Sequence, residues 1–74
     1  MIQDEIYEEY LELIAEENNR KKEEIRNIFE CLNKEVEPKK KDLRKALNIL
    51  KYNFSDLADI DTKRIMGAWF TFYR

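Results

Sequence analysis

The apolar positions of the chain fall into helical stripes. The cleanest is Ile25, Ile28, Phe29, Leu32 and Val36, at i, i+3, i+4, i+7 and i+11, which draws one line down a 3.6-residue helix. Pro38 cannot continue that helix, and Glu37 before it is pushed out of α geometry, so the element ends near Val36. Leu43, Ala46, Leu47, Leu50 and Phe54 repeat the same spacing. Pro38 suits the entry to this next helix, where a missing N–H costs nothing, and Asn53 suits its end. The spacing therefore predicts helices over roughly 20–36 and 39–53.

Toward the C-terminus, Ile65, Ala68, Trp69 and Phe72 form a further stripe, flanked by Met66, Phe70 and Tyr73. Ser55–Ile60 reads as a turn, and Asp61 or Thr62 as the cap of a final helix over about 62–73. A helix apolar on two faces belongs at the centre of the core or against a partner. Near the N-terminus, Ile6, Tyr7, Tyr10, Leu11, Ile14 and Ala15 form a broad stripe over about 3–17. No apolar residue follows between Glu16 and Glu24. Asn18-Asn19 favours a turn there, whereas Glu16–Arg20 and Glu17–Lys21 favour continuation. A helix unbroken through residue 36 would be about 50 Å long, more than the rest of the chain can cover. A break at Asn18-Asn19 is the expectation. The prediction is one all-α domain over residues 1–74, a bundle of about four helices, favoured as a monomer.

Composition sharpens this picture. With 43% apolar and 41% charged residues at net −2, the chain has enough apolar material for a core and lacks the charge imbalance of a disordered segment. One Gly and one Pro leave little for tight turns. The lone Cys31 has no internal disulfide partner and reads as a small hydrophobe. An acidic start is unlike a targeting leader, and no apolar run approaches the ~20 residues that span a bilayer. These features lead to the expectation of a cytoplasmic protein without membrane contact.

Catalysis has little to work with. Histidine is absent, cysteine and serine occur once each, and Gly67 is the sole glycine. Nucleophile–base pairs, thiolate or imidazole metal sites and Gly-rich phosphate loops are thereby excluded. No enzyme activity and no cofactor are expected. Glu5, Glu9, Glu12 and Glu16 follow helical spacing and read as a solvated face, since four carboxylates alone specify a metal poorly. Gly67, costly inside a helix, is expected to admit a close neighbour.

Charge is segregated along the chain. Residues 1–17 hold seven acids and no base, whereas residues 38–54 hold six bases and one acid, Asp42. Lys39, Lys40, Lys41, Arg44 and Lys45, joined by Lys63 and Arg64, suit a phosphate backbone, and Arg74 adds a further base. The bland alternative is a solvated face, or acids of one half pairing with bases of the other. Three lysines at a helix start oppose its dipole, which suggests another reason for their presence. Tyr52 reads as a half-buried helix residue or as a stacking platform for an unpaired base.

The segment Asp56-Leu57-Ala58-Asp59-Ile60 followed by Lys63-Arg64-Ile65-Met66-Gly67 resembles the HRDC domain, a helical nucleic-acid module of RecQ-type helicases. Asp61-Thr62 stands where that family has a Gly-Val-Gly turn. With its size and composition, the chain also resembles the small helical companion of a recombination helicase in tailed bacteriophages. The resemblance implies an accessory that binds single-stranded or branched DNA, with a helicase as a protein partner, in the host cytoplasm. Lys39, Lys40, Lys41, Arg44, Lys45, Lys63 and Arg64 would be its contacts. The competing expectation is a protein–protein adaptor or inhibitor. It would use Met66, Phe70 and Tyr73, with Ile49, or an acidic first helix whose Glu8, Glu9 and Glu12 mimic nucleic-acid charge.

Overall fold

A computed structural model describes residues 2–73, with side chains from Asp4 onward; Arg74 lies outside the described residues. The chain is all-α, with helices α1 (Ile2–Glu17), α2 (Lys22–Glu35), α3 (Leu43–Asn53) and α4 (Asp59–Phe72) and a 3₁₀ turn at Pro38–Lys40.

The break between α1 and α2 lies at Asn18-Asn19, as the sequence suggests. Asn19 takes the left-handed conformation at φ 55°. Its N–H donates to the Glu16 carbonyl at 3.2 Å, and the Arg20 N–H to that of Ala15 at 2.8 Å. This pair of bonds is the Schellman closure, in which asparagine is the usual substitute for glycine. The molecule's longest dimension is 32 Å, short of what an unbroken first helix would need.

Two boundaries differ from the sequence reading. Helix α3 begins at Leu43 rather than at residue 39, because Asp42 caps it: its carboxylate accepts from the Lys45 N–H at 3.1 Å. Lys39, Lys40 and Lys41 thus precede the cap and do not oppose the dipole from within the helix. Helix α4 begins at Asp59 with Ala58 in the capping position. Ser55 lies in the preceding turn, and Asp61 and Thr62 are already helical. The Thr62 hydroxyl donates backward to the Ala58 carbonyl at 3.1 Å.

The core takes Leu11, Ile14 and Ala15 from α1, and Ile25, Ile28, Phe29 and Leu32 from α2, with Val36 just beyond. Ala46 and Leu50 of α3 and Ile65 and Trp69 of α4 complete it, and all are at most 5% exposed. Helix α2 packs against both α1 and α3 and buries Ile25, Ile28, Phe29 and Leu32, whereas the second apolar set of α4 stays half-exposed. Aromatic rings lock α4 to α1: Tyr10 lies 4.9 Å from Phe72 between centroids, and its hydroxyl donates to the Ala68 carbonyl at 2.9 Å. Burial, aided by the neighbouring Tyr73, pushes the Tyr7 phenol up to about 12. Ile6 and Leu43, members of the predicted stripes, are exposed. A Cβ built on Gly67 meets nothing within 4 Å, so this glycine admits no close neighbour within the chain.

Candidate nucleic-acid interface

The basic residues of the middle segment are gathered by the entry to α3. Pro38 sets the first residue of the 3₁₀ turn, which carries Lys39 and Lys40 outward, both exposed. Lys41 closes the turn in the left-handed conformation at φ 50°, donating its N–H to the Pro38 carbonyl at 3.2 Å. A non-glycine residue held there carries a backbone cost. Asp42 caps the helix, and Arg44 and Lys45 follow on its first turn, both exposed.

Helical spacing aligns Lys45 with Asn48 and Tyr52 on the face of α3 opposite Ala46 and Leu50. Tyr52 is 81% exposed, which overturns its reading as a half-buried helix residue. The signal for this was available: Tyr52 falls seven residues after Lys45 and two after Leu50, a buried member of the opposing stripe. Arg44, Lys45, Asn48, Ile49 and Tyr52 line a shallow groove with Asn53, Glu35 and Asp42. Lys40 and Lys45 also line an adjoining groove with Glu35, Glu37 and Asp42.

Lys63 and Arg64 line neither of these grooves. Arg64 instead lines a cleft with Tyr10, Ile14, Glu17, Asn18 and Ala68, and Lys63 is exposed on α4.

Among the described residues, none of these seven cations forms an ion pair. One acid of α1 is paired from α2. Glu8 accepts from both terminal guanidinium nitrogens of Arg26 and sits 2.8 Å from the Lys22 amine. These bonds, Arg26 first, hold its carboxyl down at about 2 and raise Arg26 in turn. Among the described residues, only Arg20 reaches a C-terminal acid, Asp61 at 3.9 Å. The two oppositely charged halves are therefore largely not spent on one another.

The apolar candidate surface is less exposed. Met66, Phe70 and Tyr73 are half-buried against the core. Phe70 lies edge-on to Trp69 at 4.9 Å, and the Tyr73 hydroxyl accepts from Asn33 at 3.1 Å. Ile49 is likewise half-buried. Glu9 and Glu12 are exposed on α1. Cys31 is half-buried, and burial pushes its thiol upward, away from reactivity. Among the described residues no three metal-ligating side chains converge, and no helix is long and apolar enough to cross a membrane. No protein-family model matches this chain, nor does any curated protein or solved structure.

Proposed function

We propose that this chain is a non-catalytic helical module that binds nucleic acid through the Lys39–Lys45 turn and the outward face of α3, as an accessory in recombination or repair of the kind its HRDC-like segment suggests. The observation that carries this reading is the gathering of Lys39, Lys40, Lys41, Arg44 and Lys45 on one exposed turn and helix start, with no ion pair among them. Unpaired cations at that density suit a row of phosphates, whose neutralisation releases counterions. The left-handed backbone at Lys41 adds support, because glycine would fit there more cheaply and would bring no charge. Lys63 and Arg64, which line neither groove, serve as a second contact.

The test is a titration of labelled oligonucleotides across a salt series. With ~4 phosphate contacts, log K falls against log salt with a slope of about −3 to −4. A variant with Lys39, Lys40, Lys41, Arg44 and Lys45 changed to Glu, shown to fold by circular dichroism, loses the binding. Affinity that ignores salt, or survives the charge reversal, contradicts the reading. The adaptor alternative keeps a surface because Met66, Phe70 and Tyr73 remain half-exposed. It becomes the better account if the wild-type protein binds no nucleic acid at low salt.

A further inference from the structure

The groove on α3 differs in character from the cations around it. Glu35 and Asp42 balance Arg44 and Lys45 along its lining, and the remaining walls are Asn48, Ile49, Tyr52 and Asn53. Such a surface carries less surplus positive charge than the lysine turn beside it. It offers instead an apolar floor in half-buried Ile49, an amide with donor and acceptor in Asn48, and an aromatic ring in Tyr52. The surplus positive charge, Lys39, Lys40 and Lys41, lies just outside on the 3₁₀ turn.

Tyr52 is little used by the fold. It is 81% exposed, it belongs neither to the core nor to the residues packed against it, and among the described residues it takes part in no ring contact. The neighbouring Asn53 side chain is turned back on the helix, donating to the Ile49 carbonyl at 2.9 Å.

We infer that Tyr52 is the stacking platform for one unpaired base, with Asn48 facing that base's edge, so that this face takes single-stranded nucleic acid in preference to duplex. The inference rests on the nucleic-acid reading above and adds the strand class to it. The cations hold the phosphate chain, whichever strand form supplies it. The ring acts only on a base whose face is uncovered, and a duplex covers both faces of every internal base. Stacking of this kind changes affinity by roughly 5- to 150-fold per base on removal of the ring.

The experiment compares wild type, Tyr52→Ala, Tyr52→Phe and the five-site Lys/Arg→Glu variant. Each is titrated against a labelled single-stranded oligonucleotide and against a duplex of the same length over the same salt series. The exposed position leaves the fold of the Tyr52 variants intact, and circular dichroism checks this. The expected result is that Tyr52→Ala weakens single-strand binding by that factor with an unchanged salt slope, barely affects the duplex, and is rescued by Tyr52→Phe. Equal single-strand binding by wild type and Tyr52→Ala overturns the inference. So does an equal loss on both strand forms. In either case the nucleic-acid reading stands if the charge-reversed variant still loses binding. Absence of binding by the wild-type protein to either strand at the lowest salt removes the reading and the inference together.

Discussion

Trp69 has no solvent-exposed surface, and its indole N–H donates to Asn33 at 2.9 Å. The largest side chain of the core is thus also tied to α2 by its one polar atom. Trp69→Ala removes both the packing and that bond, and costs about 3–5 kcal/mol. In a domain of this size that is most of the stability. Urea unfolding checks it, and a variant that unfolds like wild type would show that the ring is dispensable. Two residues away, Gly67 behaves oppositely. It sits in mid-helix with open space where a Cβ would be, so Gly67→Ala gains helix propensity without a clash. Stability should rise by up to ~1 kcal/mol in the same urea assay; a fall would mean that an unseen neighbour uses the space. The contrast shows what single residues reveal in sequence. Trp69 is legible because its stripe neighbours Ile65 and Phe72 fix its direction. Gly67 is not, because a missing side chain carries no direction, and only the packed structure tells whether the space is filled.

Among the elements, α1 and α2 were the most legible, expected over about 3–17 and 20–36 and found at Ile2–Glu17 and Lys22–Glu35, because Asn18-Asn19 and Pro38 punctuate their ends. The misplaced start of α4 has a local cause. Ser55, Asp61 and Thr62 are all good capping types, but the capping position is held by Ala58, which supplies no side-chain bond. The hydrogen-bonding residues lie three before it and three and four after it. Ala58→Ser should therefore raise stability by about 1 kcal/mol, read as an increase in melting temperature. No increase would mean that α4 starts elsewhere. The join between α1 and α2 has a titratable marker. Glu8, held near 2 by Arg26 and Lys22, contributes stability that is fully present above its ordinary value of 4.5 and is lost as pH falls through about 2. Glu8→Gln is accordingly less stable than wild type at neutral pH, and the gap closes between about pH 4.5 and 2. Denaturant unfolding across that range measures it; a gap that persists at pH 2 would place the effect in packing. This pair was not foreseen, because Glu8 and Arg26 are brought opposite each other only by the reversal at Asn19.

At the scale of the whole molecule, a net charge of only −2 on a chain whose first 17 residues are acidic and whose residues 38–54 are basic gives little monopole and leaves oppositely charged surfaces on α1 and the lysine turn. Two such molecules repel weakly as wholes, yet attract when the α1 end of one meets the lysine turn of another. Dissolved salt screens that attraction within about 8 Å at physiological strength. The protein should consequently salt in: its second virial coefficient, measured by light scattering, becomes more positive as salt rises from low to physiological levels. A coefficient that falls over this range would mean that the two charged regions do not see one another. Salting-in also sets a practical condition for every titration at low ionic strength, where free protein is partly engaged with itself and a polyanion must displace one copy from another before it binds.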